Sequence, residues 1–178
     1  MAKRNNFVFI ALLIVAWLIF VGLGIEAGGL IVNFIFSLYK PEFVQNLYQK
    51  LDLSQMYHLN KWIFFSMYSF ILFISILKAC LFYVVIMLLH KLDLTKPFNS
   101  YVAGQMKKIS YYTLSIGLIS YIARETANNL PHYGIEIDAL NKFWADSQAW
   151  ILMAAVIYVI ATIFTRGVEI QNENDLTV

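Results

Sequence analysis

The sequence is poor in charged residues and has a single cysteine. Only 13% of its 178 residues are Asp, Glu, Lys or Arg, whereas 60% are hydrophobic. That balance excludes a small soluble domain, in which about 25% of residues are charged. Because Cys80 has no second cysteine to pair with, an intrachain disulfide is excluded as well. What is present instead is a series of long apolar segments, which is typical of an integral membrane protein.

Four apolar segments follow one another along the chain and predict four membrane-spanning helices. A bilayer core is ~30 Å thick and is crossed by about 20 helical residues. Backbone groups inside it must be hydrogen-bonded within the chain, so continuous apolar runs favour helices. We expect spans at about 7–38, 62–90, 109–129 and 148–165. The predicted fold is all-α, a single integral membrane four-helix bundle with short interfacial helices.

Two segments between the spans are expected to lie at the membrane surface. Apolar residues recur at helical spacing between residues 43 and 51, which predicts a short amphipathic helix on the bilayer or over the bundle. In the loop before the last span, Trp144 and Trp150 are predicted to belong to an aromatic belt.

The distribution of Lys and Arg predicts the orientation, because short loops rich in these residues tend to stay in the cytoplasm. Basic residues precede the first span, occupy the middle loop and follow the last span: Lys3, Arg4, Lys91, Lys96, Lys107, Lys108 and Arg166. Lysines in the other two loops are offset by acidic residues. We therefore predict that both termini, the loop 91–108 and the tail 166–178 are cytoplasmic, in a cell membrane.

Four charged residues fall within the predicted spans: Glu26, Lys78, Arg124 and Glu125. Lys78 is near mid-helix, where a Lys costs ~2.5–3.5 kcal/mol and usually faces a bundle interior or a watery cavity. It has two interpretations: a snorkelling or structural side chain, or part of a ligand or ion site. Glu26 and Arg124 both belong in the outer half by their heights along the helices. We predict that they form an ion pair between the first and third spans, with Glu125 as a competitor for Arg124.

The sequence contains no residue pattern of a known reaction. The three His residues lie far apart without Glu or Cys at a ligand spacing, and no HExxH, phosphate-binding loop or nucleophile elbow occurs. We therefore expect no enzyme activity, no metal and no cofactor. Gly24 and Gly28 form a small-residue pattern that would allow another helix to approach, so a homo-oligomer in the bilayer is one hypothesis.

The tail and the middle loop resemble a known family. The ending from Gly167 to Val178 is similar to the closing motif of the bacterial four-span membrane family called domain of unknown function 2975. The Lys96-Pro97-Phe98 turn, followed by a helix with Lys107 and Lys108, resembles the middle loop of that family. Asn99 or Ser100 is expected to cap this third helix.

The resemblance implies a bacterial inner-membrane protein, in a family without an established activity. Members of that family are often encoded beside a small helix-turn-helix transcription regulator. It leads to the hypothesis of a membrane sensor or partner of such a regulator, with no direct nucleic-acid binding. The expected contact residues are in the loop and the tail: Lys96, Pro97, Phe98, Glu173, Asn174, Asp175 and Leu176. The alternative is a subunit of a small transporter or channel, with Lys78, Glu26 and Arg124 along a polar path.

Overall fold

A computed structural model describes residues 2–40, 42, 44, 47, 51–92, 98–133, 135 and 137–175. The described chain is all-helical apart from one isolated bridge between Leu47 and Leu51. A short 3-10 helix covers Leu130–Tyr133. The six α-helices are α1 (Ala2–Tyr39), α2 (Ser54–Leu59), α3 (Lys61–Lys91), α4 (Ser100–Asn128), α5 (Asp138–Trp144) and α6 (Ser147–Asp175).

Three segments in the described chain are helical, long and apolar enough to cross a membrane. They are Phe7–Tyr39, Lys61–Lys91 and Leu140–Glu173, and they cover most of α1, all of α3 and most of α6. Helix α4, with 29 residues, has the length but not the overall hydropathy. It begins as predicted, because the Asn99 side chain accepts a hydrogen bond of 2.9 Å from the backbone N–H of Val102.

The four long helices pack in chain order, each antiparallel to the next. Phe20 in α1 contacts Tyr83 in α3, whereas Phe34, farther along α1, contacts Phe65, nearer the start of α3. Helix α3 packs in the same way on α4, and α4 on α6. In a closed bundle α1 would also pack against α6, but the described residues of these two helices have at most marginal backbone contact. The helices therefore form an open row.

This antiparallel order gives the row two ends. The loop end contains the start of α1, the end of α3, the start of α4 and the end of α6. The cap end contains the opposite helix termini with α2, the 3-10 helix and α5. Most of the fully buried side chains are at the cap end, in one cluster with the neighbouring parts of α1, α3 and α4.

The segment before α2 enters this cluster. Val44, Leu47 and Leu51 are buried, and the Leu47 N–H donates to the Leu51 carbonyl at 3.0 Å. The helix in this connection is α2, at Ser54–Leu59, later than the amphipathic helix predicted over residues 43–51. Residues 43, 45, 46 and 48–50 lie outside the described chain.

Candidate functional site

The first candidate site lies between α1 and α3, where Lys78 and Glu26 are at similar heights. Both side chains are half-buried. The antiparallel contact of Phe20 with Tyr83, at 6.0 Å between ring centroids, lies about one turn from them. Glu26 attracts Lys78 electrostatically, but no ion pair within 4.0 Å joins these two described residues. The site is an opposite-charge pair at a distance rather than a closed salt bridge.

Arg124 does not belong to this site. Its guanidinium is 3.5 Å from the carboxylate of Glu125 and lies over the ring of Tyr121 at 5.7 Å. The predicted pair between Glu26 and Arg124 is therefore wrong, and the competitor Glu125 takes its place. The reason is lateral order: α3 lies between α1 and α4, so similar heights along the helices do not bring these side chains together.

The second candidate site is at the loop end, where the middle loop meets the last helix. The ring of Phe98 is 5.2 Å from that of Phe164 between centroids. It also covers Gly167, where a Cβ would be only 2.6 Å from the Cδ1 atom of Phe98. Glycine is needed at this position because any larger residue would displace the ring. The loop motif and the first residue of the tail motif thus form one surface.

The remaining predicted contact residues that belong to the described chain are in the last turn of α6. Glu173 is exposed, and α6 extends through Asn174 to Asp175. One turn earlier, Arg166 and Glu169 form an ion pair at 2.7 Å. Lys96, Pro97 and Leu176 lie outside the described residues.

Helix α4 carries a feature that the sequence reasoning missed. In its middle section the small and polar residues Ser110, Thr113, Gly117 and Ser120 are buried. The exposed side of its middle section is instead apolar or aromatic: Tyr111, Leu114, Leu118, Tyr121 and Ile122. The recurrence of small residues every three or four positions was the available signal. Helix α4 is thus polar toward its neighbours and apolar toward its surroundings.

Other predicted features have varied outcomes. Trp144 is only 1% exposed and packs in the cap, so its placement in an aromatic belt is wrong. Its indole N–H has no hydrogen-bond partner among the described residues, and neither has the buried Ser147 hydroxyl.

Gly24 and Gly28 face open space, since an added Cβ would meet nothing within 4 Å. The homo-oligomer hypothesis stays a prediction.

No group of three His, Cys, Asp or Glu side chains in the described chain is placed to hold a metal ion. No protein-family model, curated protein or solved structure matches the sequence. The resemblance to domain of unknown function 2975 therefore stays a prediction, and functional inference depends on the two sites above.

Proposed function

We propose that this chain is a four-span membrane protein whose cytoplasmic face binds a small helix-turn-helix transcription regulator. The observation that carries the proposal is the contact of Phe98 with Gly167, because it joins the loop and the tail into one composite surface. Such a surface can present residues of both segments to one partner.

The fourth span in this proposal is α4. A helix with buried polar groups and an apolar exterior suits a membrane, where small and polar residues mediate contacts between helices. The buried Thr113 hydroxyl also donates a hydrogen bond to the Ile109 carbonyl at 2.7 Å. This polar group therefore has a partner within the protein, as a membrane environment requires. These features support a membrane position that the average hydropathy of α4 does not reveal.

The cytoplasmic placement of the loop end follows from charge. Lys91, Lys107, Lys108 and Arg166 belong to this end, as does the N-terminal pair Lys3 and Arg4. The cap end has basic residues as well, but Glu42, Asp52, Asp138 and Asp146 accompany them. The asymmetry favours both termini inside.

The partner's chemistry is inferred from the end of α6. Glu173 and Asp175 are in its last turn, beyond the ion pair of Arg166 with Glu169. An acidic surface attracts the basic face of a DNA-binding domain, which accelerates and orients encounter. The resemblance to a family encoded beside such regulators points to the same class of partner.

The test is affinity purification of the tagged full-length protein from its native cells in mild detergent, with mass spectrometry of the bound proteins. We expect a small helix-turn-helix protein with the wild type, and its loss when residues 171–178 are deleted. Asp52→Asn at the cap end is the matched control, since it removes an acidic charge away from the composite surface. Equal recovery of the regulator with the truncated protein, or its absence from the wild-type sample, would refute the proposal.

The charge pair between α1 and α3 favours a second candidate function, a subunit of a small transporter or channel. Opposite charges at one level within a membrane commonly mark ion or proton paths. In proteoliposomes that contain a pH-sensitive dye, Lys78→Met should abolish proton flux and Lys78→Arg should retain part of it. Unchanged flux in a well-folded Lys78→Met variant would exclude this function for the pair.

A further inference from the structure

Helices α4 and α6 leave a groove along one side of their contact. At the loop end it opens into a hollow of ≈ 300 Å³, which is lined by polar residues, including Ser100, Lys107 and Asn172, together with Ala103, Gly104 and Val168. Deeper along the same helices it continues as an apolar groove of ≈ 400 Å³, lined mainly by Leu114, Ala154 and other apolar or aromatic side chains.

The hollow and the groove are on the same side of both helices. Along α4 the lining positions are 100, 104, 107, 111 and 114, which advance by three or four residues and so share one face. Along α6 the positions 151, 155 and 158 and, after a step of seven residues, the positions 165, 169 and 172 also share one face. A molecule with a polar head and a long apolar chain could therefore lie along the contact without leaving it.

The change from polar to apolar lining occurs over the depth of a lipid headgroup. Lys107 and Tyr111 are four residues apart on α4, which corresponds to ~6 Å along the helix. The headgroup layer on each side of a bilayer is about 5–7 Å thick, from its total and hydrocarbon thicknesses. At the start of the apolar part, Tyr111 and Tyr158 approach each other at 6.4 Å between ring centroids, as aromatic residues do at the hydrocarbon boundary.

The charge of the hollow suits an anion. Lys107 forms no ion pair with any described residue. The one carboxylate in the lining, that of Glu169, is 2.7 Å from the guanidinium of Arg166 and is thereby neutralised. Lys108, the next residue on α4, is exposed and does not line the hollow. The ammonium of Lys107 is thus the uncompensated charge of the described lining.

We propose that the contact between α4 and α6 binds one anionic phospholipid. Its phosphate lies at Lys107 with Ser100 and Asn172 as hydrogen-bonding neighbours, and one acyl chain follows the groove past Leu114 and Ala154. The site selects the negative headgroup by charge and the chain by shape.

The experiment is native mass spectrometry of the full-length protein in detergent, titrated with phosphatidylglycerol or with phosphatidylcholine of the same acyl chains. We expect one phosphatidylglycerol to be retained by the wild type in preference to phosphatidylcholine. Lys107→Gln should weaken this retention about fivefold, because one lysine near an anionic surface contributes about 1 kcal/mol to binding. Lys108→Gln is the matched control, with the same loss of charge at the same depth but outside the groove, and it should retain the lipid.

A second pair of variants tests the acyl-chain part. Ala155 lines the groove and is exposed, so Ala155→Leu should fill it and lower the retention of both lipids. Ala149→Leu adds the same side chain on an exposed part of α6 outside the groove and should leave retention unchanged. Equal weakening by Lys107→Gln and Lys108→Gln would reveal diffuse surface attraction and overturn the proposal. Failure of the wild type to discriminate between the two lipids would overturn it as well.

Discussion

The contact between α1 and α3 is built differently from the contact between α4 and α6. The first, here called the aromatic contact, joins Phe20 and Phe34 to Phe65, Tyr68 and Tyr83. The second, here called the small-residue contact, brings the backbones together at glycine, alanine and serine. Lipid is as apolar as leucine, so helices in a membrane associate through close packing rather than through exclusion of water. The two contacts are two solutions to that requirement.

The largest expected effect breaks the aromatic contact at its centre. Tyr68 is fully buried, and its ring stacks on Phe34 at 5.3 Å between centroids. Tyr68→Ala removes the ring and should lower the free energy of unfolding by about 3–5 kcal/mol, as truncation of buried aromatic residues does. Thermal unfolding in detergent measures the loss. Phe73→Ala, on the same helix but 60% exposed, is the control and should change stability little.

The second prediction breaks the small-residue contact. A Cβ at Gly117 would lie 2.7 Å from the Cγ1 atom of Ile151 and 3.0 Å from its backbone nitrogen. Because backbone cannot move aside as a flexible side chain can, Gly117→Ala should separate α4 from α6 and cost about 1–3 kcal/mol. Gly22→Ala meets nothing within 4 Å and should be neutral or slightly stabilising. Equal unfolding temperatures for the two variants would show that α4 and α6 do not pack this closely.

The different chemistry of the two contacts explains what the sequence could predict. The apolar residues that identify α1 and α3 are also those that face lipid and neighbouring helices, so hydropathy alone locates both helices. In α4 the buried residues Ser110, Gly117 and Ser120 lower the average, although the exposed side is apolar. The apolar run from residue 109 therefore predicted this helix less clearly than the runs in α1 and α3 predicted theirs, and the cap at Asn99 located its start.

The candidate site was less predictable, because heights along helices do not determine which helices are neighbours. Glu26 was predicted to pair with Arg124, but the charge that it attracts is Lys78, and Arg124 pairs with Glu125. The lateral order of α1, α3 and α4 depends on the shape of their side chains, which periodicity does not encode. The same limitation hid the contact between Phe98 and Gly167, which are far apart in the sequence.

The third prediction separates the two roles of Tyr68 in the aromatic contact. Its hydroxyl donates to the Leu30 carbonyl at 3.0 Å in a buried environment. Tyr68→Phe keeps the stacked ring and loses only this hydrogen bond, which should cost about 0.5–1.5 kcal/mol. Subtracting this loss of stability from that of Tyr68→Ala gives the contribution of ring packing to the free energy of unfolding. If the two variants were equally destabilised, the hydrogen bond and not the stacked ring would hold α1 to α3.

The smallest expected effect is at the cap, outside both contacts, and it depends on pH. The Ser54 hydroxyl and backbone N–H donate to the Asp52 carboxylate, the latter at 2.9 Å, and these bonds lower the pKa of Asp52. A carboxyl whose pKa is lower in the folded state stabilises the fold above its unfolded pKa of ~3.9 and ceases to do so as the pH falls through the folded pKa. Asp52→Asn retains an acceptor and loses the charge, so it should cost less than about 1 kcal/mol at pH 7.

The measurement for Asp52 is the unfolding temperature in detergent between pH 7 and pH 3, for the wild type and for Asp52→Asn. The difference between the two should stay constant down to about pH 5 and then shrink, because protonation of Asp52 makes the wild type resemble the variant. Glu42→Gln, which removes another exposed carboxyl at the cap end, is the matched control. A difference that persists unchanged at pH 3 would mean that the substitution perturbs the start of α2 through shape rather than through the charge of Asp52.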